Sequence, residues 1–126
     1  MITEDYVSFE TAKLLKEKGF DEGVLFTINR EGFQQYPKNL EFEYLHNSEV
    51  SADEYAAPTL QMAMKWLREK YNIHIEPRYF PMPNIYRYVI IHSPATFENI
   101  DSHPQYFNTY EEACEAAIKY CLENLI

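Results

Sequence analysis

Three stretches of this chain carry helix-period apolar stripes with capping signals at their starts, and the runs between them are strand-like. In the first, Ser8 is placed to cap a helix, and Val7 before it can pack onto Ala12. Phe9, Ala12, Leu15 and Lys16 follow the helical period, and Leu14 flanks them. Gly19 suits the residue just past the helix, where the left-handed backbone region is wanted, and Phe20 suits the contact back onto Leu15 that closes such an end. The pattern predicts a helix over 8–18. In the second stretch, Leu60, Ala63, Met64, Leu67 and Tyr71 recur at i, i+3, i+4, i+7 and i+11, with Trp66 off the centre of the stripe. Ser51 and Glu54 have capping-box spacing, while Pro58 suits a first helical position. The start is therefore expected between 52 and 58 and the end near Tyr71, with Asn72 as C-cap. In the third stretch, Thr109 and Glu112 form a capping box ahead of Tyr110, Ala113, Cys114, Ala117, Ile118, Cys121 and Leu125, and Glu111, Glu112 and Glu115 suit the positive end of the helix dipole.

The intervening runs have the residue types and the period of two that strands need. Val24–Ile28 is β-branched and aromatic. Leu40–Leu45 alternates apolar residues with Glu41 and Glu43, and the two are expected to pair as a hairpin with a long loop; Glu31-Gly32 suggests a turn, with 31–39 irregular. Residues 47–57 read as a linker. Ile73–Glu76 alternates until Pro77, which confines it to an edge or a broken strand. Tyr86–His92 is the strongest strand signal and, being largely apolar on both faces, is expected at the centre of a sheet or covered on two sides. Residues 93–107, with Pro94 and Pro104, read as loop. The expected fold class is α+β, with order α-β-β-α-β-β-α, in which a mostly antiparallel four-stranded sheet is covered by helices in a two-layer sandwich. A single domain over 1–126 fits the length. Leu15-Lys16-Glu17-Lys18 and Leu67-Arg68-Glu69-Lys70 fall at matching helix ends, so two related αββ halves are a possible origin of the pattern.

Composition narrows the function classes. The formal net charge is -9, and it is uneven: residues 1–57 carry 12 acidic and 5 basic side chains, net -7, and residues 58–126 carry 8 and 6, net -2. Such a balance argues against direct binding to nucleic acid or anionic lipid. With only 3 glycines, a glycine-rich phosphate loop is excluded. Cys114 and Cys121 lie two helical turns apart, about 10.5 Å along the axis, too far for a disulfide between them. Their place on the apolar stripe reads as core packing in a reduced, cytoplasmic compartment. The N-terminus lacks the apolar stretch of a signal peptide, and no apolar run is long enough to span a bilayer.

Few residues suggest chemistry. Of His46, His74, His92 and His103, the only set worth weighing is His74 with Glu76 on one strand face and His92 across from them, two imidazoles and a carboxylate. The sequence supports ordinary histidines there over a metal site, and no cofactor is expected. Aromatic density between 71 and 110 is the one feature above background. Tyr79, Tyr86, Arg87 and Tyr88 are the candidate interaction surface, because interfaces favour Tyr and Arg. The leading expectation is a non-enzymatic protein–protein interaction domain, with an unidentified partner or self-association. The alternatives are an acidic, DNA-mimicking inhibitor of a nucleic-acid-binding protein, and a small enzyme or ligand-binding domain using the His74/Glu76/His92 surface.

Ser8-Phe9-Glu10-Thr11-Ala12, Ala57-Pro58-Thr59 followed by Lys65-Trp66-Leu67-Arg68-Glu69, and Tyr110-Glu111-Glu112-Ala113-Cys114-Glu115-Ala116-Ala117-Ile118 give the chain a resemblance to short uncharacterised proteins of Bacteroides-type bacteria and their phages or mobile elements. These are helix-start patterns. The resemblance implies a shared fold and a phage-related origin, and carries over no functional residue.

Overall fold

The computed structural model describes residues 1–35, 44–92, 100–102 and 105–126, with backbone alone at 34–35 and 100–102. Among the described residues three helices form, α1 (Phe9–Glu17), α2 (Leu60–Tyr71) and α3 (Tyr110–Asn124), the first and third where capping and periodicity place them. The Ser8 side chain accepts from the Thr11 N–H, and Thr109 accepts from the Glu112 N–H. Each cap satisfies an N–H that the first turn leaves unpaired. Past α1, Gly19 takes a φ of 92°. The Phe20 N–H then reaches Leu15 O at 2.9 Å and the Gly19 N–H reaches Lys16 O at 3.1 Å, which is the Schellman arrangement. The start of α2 differs from the sequence expectation. Thr59, not a residue of 52–58, caps it by accepting from the Met62 N–H. Pro58 is buried ahead of the cap. Asn72 ends α2 in the left-handed region, at φ 54°.

Among the described residues the strands form two antiparallel sheets instead of one of four strands. The first has the order β2-β1-β3 and the second β4-β5-β6. The elements are β1 (Phe26–Asn29), β2 (Gly32–Gln35), β3 (Tyr55–Ala56), β4 (Ile73–Phe80), β5 (Ile85–His92) and β6 (Ile100–Ser102). The expected division fails because β1 makes a tight hairpin with the segment immediately after it. Asn29 Oδ1 accepts from the Glu31 N–H at 2.8 Å, and Gly32 supplies a φ of 127° that other residues rarely adopt. Gly32–Gln35, expected as irregular, thereby becomes β2. The other edge of β1 is taken by β3, drawn from the stretch expected as linker. Of the expected pairing with 40–45, one bridge is present, Val24 with Leu45; residues 40–43 lie outside the described ones. In the second sheet β5 is central and β4 is an edge, as expected. Pro77 does not break β4, because an edge strand can leave one N–H side unpaired. Residues 100–102, expected as loop, form β6 on the far side of β5. The two halves thus differ in topology: the third strand joins the first strand of one hairpin and the second strand of the other.

The buried residues form one cluster drawn from all three helices and both sheets. Leu15, Leu67, Ile90, Ile118 and Leu122 are fully buried in it. α3 lies across β4 and β5, and α1 contacts α3, β1 and β3. Trp66, off the centre of its stripe, is buried because Phe20 and Tyr71 cover it edge-on, with ring centroids 5.3 and 5.4 Å away. Among the described residues no helix is long and apolar enough to cross a membrane.

A clasp joins the turn after α1 to the 3-10 turn Asn47–Glu49. His46 Nδ1 lies 2.7 Å from Asp21 O, and Asp21 Oδ1 accepts from the Ser48 N–H at 2.8 Å. The Asp21 carbonyl, helped by the carboxylates of Glu49, Asp21 and Glu22, holds the His46 imidazole above its usual pKa. A folded-state value raised in this way stabilises the protein when the ring is charged, so the contribution is present below about pH 6.5 and fades as pH rises through the folded value. The melting-temperature gap between the wild type and His46→Gln should accordingly be larger at about pH 5.5 than at about pH 8.5; a gap that grows with pH would contradict this assignment.

Candidate functional site

The register of β4 on β5 decides which expected site residues meet. Directly opposed residues share a face. Ile73 opposes His92, Ile75 opposes Ile90, Pro77 opposes Tyr88 and Tyr79 opposes Tyr86. This face carries the buried Ile73, Ile75, Tyr88 and Ile90 of the common core. His74 opposes Ile91, Glu76 opposes Val89 and Arg78 opposes Arg87, all on the other face. His92 therefore leaves the sheet on the side opposite His74 and Glu76, and the three do not converge. His74 Nε2 instead lies 2.8 Å from Asn72 Oδ1, and Arg78 pairs with Glu76 at 3.1 Å. Among the described residues no group of three metal-ligating side chains is present; His103 is not among them.

The same register divides the expected interaction surface. Tyr88 is 2% exposed. Burial, with smaller contributions from Cys121 and Tyr120, pushes its phenol up to about 12. Its ring is stacked near Phe107, with centroids 6.1 Å apart. Tyr88 is thus a core residue, placed there because it falls in phase with Ile90. Tyr86 is half-buried between Tyr79, at 5.1 Å, and Tyr110, at 6.2 Å. Tyr79 is exposed, its hydroxyl donating to Asn84 Oδ1 at 2.7 Å. Arg87 stands on the other face with its guanidinium over the Phe80 ring, 5.6 Å from the centroid. The surface that remains is the projecting end of the β4–β5 hairpin: Tyr79, Phe80, Arg87 and Met82, the last 88% exposed.

A different place has the shape of a site. An open cleft of about 680 Å³ runs between the N-terminal segment, β2 and the outer side of α3. Its floor is apolar: Tyr6, Phe33, Leu60, Phe107 and Ala116. Three of them are held by local contacts. Tyr6 is held by its bridge to Thr59 and by edge-on contacts with Phe26 at 5.2 Å and Phe33 at 5.9 Å. Phe107 is held by paired backbone bonds to Tyr86, 2.8 Å each way. Leu60 follows the α2 cap, and its N–H donates to Asp5 O at 2.9 Å. Phe33 is 52% exposed.

The rim is acidic. Glu4, Asp5, Glu111, Glu112 and Glu115 line it, against one cation, Lys119. Lys119 is already engaged: its Nζ lies 2.7 Å from Glu10 Oε2, a contact that lowers the Glu10 carboxyl and raises the Lys119 ammonium. Glu115 accepts from the Ser8 N–H through Oε1 at 3.0 Å, tying α3 to the start of α1. Its Oε2 is buried with no hydrogen-bond partner among the described residues. Sequence reading singled out none of these as a site. Glu111, Glu112 and Glu115 had a sufficient explanation as helix-start charges, and Phe33 sat in a stretch taken as irregular. Compared with known proteins, the chain matches no family model, no curated protein and no solved structure.

Proposed function

We propose that the chain is a non-enzymatic protein-interaction domain that holds a basic, partly apolar segment of a partner protein in the cleft between α3 and the Glu4–Tyr6 segment. The observation that carries this reading is the combination at one place of an apolar floor and a rim of five carboxylates whose single lysine is already paired. An occupant covering Phe33, Tyr6 and Phe107 removes aromatic surface from water, the usual source of interface hot spots. Lysine or arginine side chains flanking its apolar residues meet the rim, which speeds encounter and fixes register more than it deepens affinity. The unpartnered Glu115 Oε2 can accept from such a group. The apolar floor favours a protein segment over a surface that imitates DNA through charge alone.

The reading is tested with a dye-labelled synthetic peptide of leucine and lysine in an amphipathic pattern, followed by fluorescence anisotropy. Saturable binding is expected, weakened at least roughly tenfold by Phe33→Glu and by raised salt, as a contact between exposed opposite charges requires. A leucine–glutamate peptide should not bind. Phe33 is half-exposed at the surface, so the substitution leaves the core alone. Equal binding by Phe33→Glu and the wild type would remove the cleft from consideration.

A further inference from the structure

We infer that the occupant of this cleft is the β4–β5 hairpin end of a second copy of the chain, so that two copies exchange hairpins across a two-fold axis. The inference rests on the reading of the cleft as a site for a basic, apolar segment, and it names where that segment comes from. The chain itself carries one. Phe80 and Met82 are exposed at the hairpin end, and Tyr79 beside them is 52% exposed. Arg78 and Arg87 oppose one another just behind, Arg78 in an exposed pair with Glu76 that a new carboxylate can exchange and Arg87 lying over Phe80. Three large apolar side chains gathered at one projecting end, with arginines at their base, are complementary in both polarity and charge to an apolar floor with a carboxylate rim.

The arrangement of the two elements favours reciprocity. Tyr86, at the base of the hairpin, is bonded through its backbone to Phe107, and its ring meets Tyr110. Phe107 and Glu111 line the cleft. The hairpin end and the cleft therefore lie on adjoining parts of one side of the molecule. A contact between two neighbouring elements of one surface can be made twice about a two-fold axis and closes on itself, whereas elements on opposite sides would propagate into fibres. The net charge of -9 on each copy does not forbid this. Charges farther apart than about 8 Å are largely screened at physiological ionic strength, and the contact is decided by the groups that meet.

The test uses charge exchange. One variant reverses the hairpin, with Arg78→Glu and Arg87→Glu; the other reverses the rim, with Glu4→Lys, Glu111→Lys and Glu112→Lys, which turns five carboxylates and one lysine into two carboxylates and four lysines. All five side chains are exposed, and circular dichroism establishes that each variant is folded. Sedimentation velocity is run from about 5 to about 500 µM, the range in which a micromolar dimer dissociates. The wild type should form dimers. Each variant alone should dimerise at least roughly tenfold more weakly, since like charges then face each other at both contacts. An equimolar mixture should restore dimers, because hairpin and rim are again opposite in charge at both contacts. A wild type that stays monomeric across the range, or dimers that ignore the substitutions, or a mixture that fails to recover, overturns the inference. If the chain is monomeric yet still binds the leucine–lysine peptide through Phe33, only the second-copy assignment falls; if neither occurs, both readings fall.

Discussion

Replacing Asn47 with alanine should lower the melting temperature by roughly 8–24 °C. Asn47 is 5% exposed. Its Nδ2 donates to Phe20 O at 2.7 Å, and its Oδ1 accepts from the Ala56 N–H at 2.7 Å. One amide therefore ties the end of the α1 Schellman turn to β3, two segments that share no other described backbone bond. Truncation leaves a buried carbonyl and a buried N–H without partners, at about 1–3 kcal/mol each, so roughly 2–6 kcal/mol in all. For a chain of 126 residues, an unfolding entropy near 2.1 cal/mol/K per residue makes each kcal/mol about 4 °C. Asn47→Asp separates the two bonds. The carboxylate can still accept from the Ala56 N–H but has nothing to donate to Phe20 O, and burial disfavours its charge. Its folded-state pKa should rise above the unfolded value, so that variant should gain stability as pH falls through the folded value. Thermal melts of both variants across pH check this, and an Asn47→Ala melt within about 2 °C of the wild type, equivalent to less than about 0.5 kcal/mol, would show that the clasp contributes little.

Asn47 also marks where sequence reading stops. A residue in a polar stretch between two apolar patterns has no signal that distinguishes a solvated linker from a buried amide. Its role depends on Phe20 O and the Ala56 N–H, 27 and 9 residues away. The helices were legible because their determinants are local: Ser8, Gly19, Asn72 and Thr109 act within a turn of their own position. The central place of β5 was legible because both its faces are apolar. The division into two sheets was not, since pairing is a choice among distant partners and the tight turn at Asn29–Gly32 competes with a longer loop that the pattern allows equally well. The cleft was illegible for a related reason. It is assembled from Tyr6, Phe33, Leu60 and Phe107, which belong to four different segments, and its rim charges had an adequate local explanation in the helix dipole. Tyr88 went the other way: its residue type suggested a surface, and its phase with Ile90 put it in the core.

Neither thiol of the folded protein should react with a disulfide reagent such as DTNB until the structure opens, and the reaction at about pH 8 should be at least roughly 10³-fold slower than in denaturant. Cys114 and Cys121 are both fully buried on α3. Burial pushes the Cys114 thiol up to about 11, and only the thiolate attacks, so the closed fold offers almost no nucleophile and reaction waits for opening. The face they occupy packs across β4 and β5, so reaction requires α3 to leave the sheet. If that motion is part of global unfolding, the slow rate reports the same free energy as a denaturant titration. Asn47→Ala should then speed the reaction by the stability it removes, roughly 30-fold for the lower figure of 2 kcal/mol, although Asn47 lies on a different element from either cysteine. Fast reaction of either thiol in native buffer would mean that α3 is not packed as described. Slow reaction that Asn47→Ala leaves unchanged would mean instead that α3 opens on its own, separately from the clasp between α1 and β3. The two results are distinguishable with one reagent and two proteins, and the second would locate the weakest cooperative boundary of the fold between α3 and the β4–β5 sheet on which it packs.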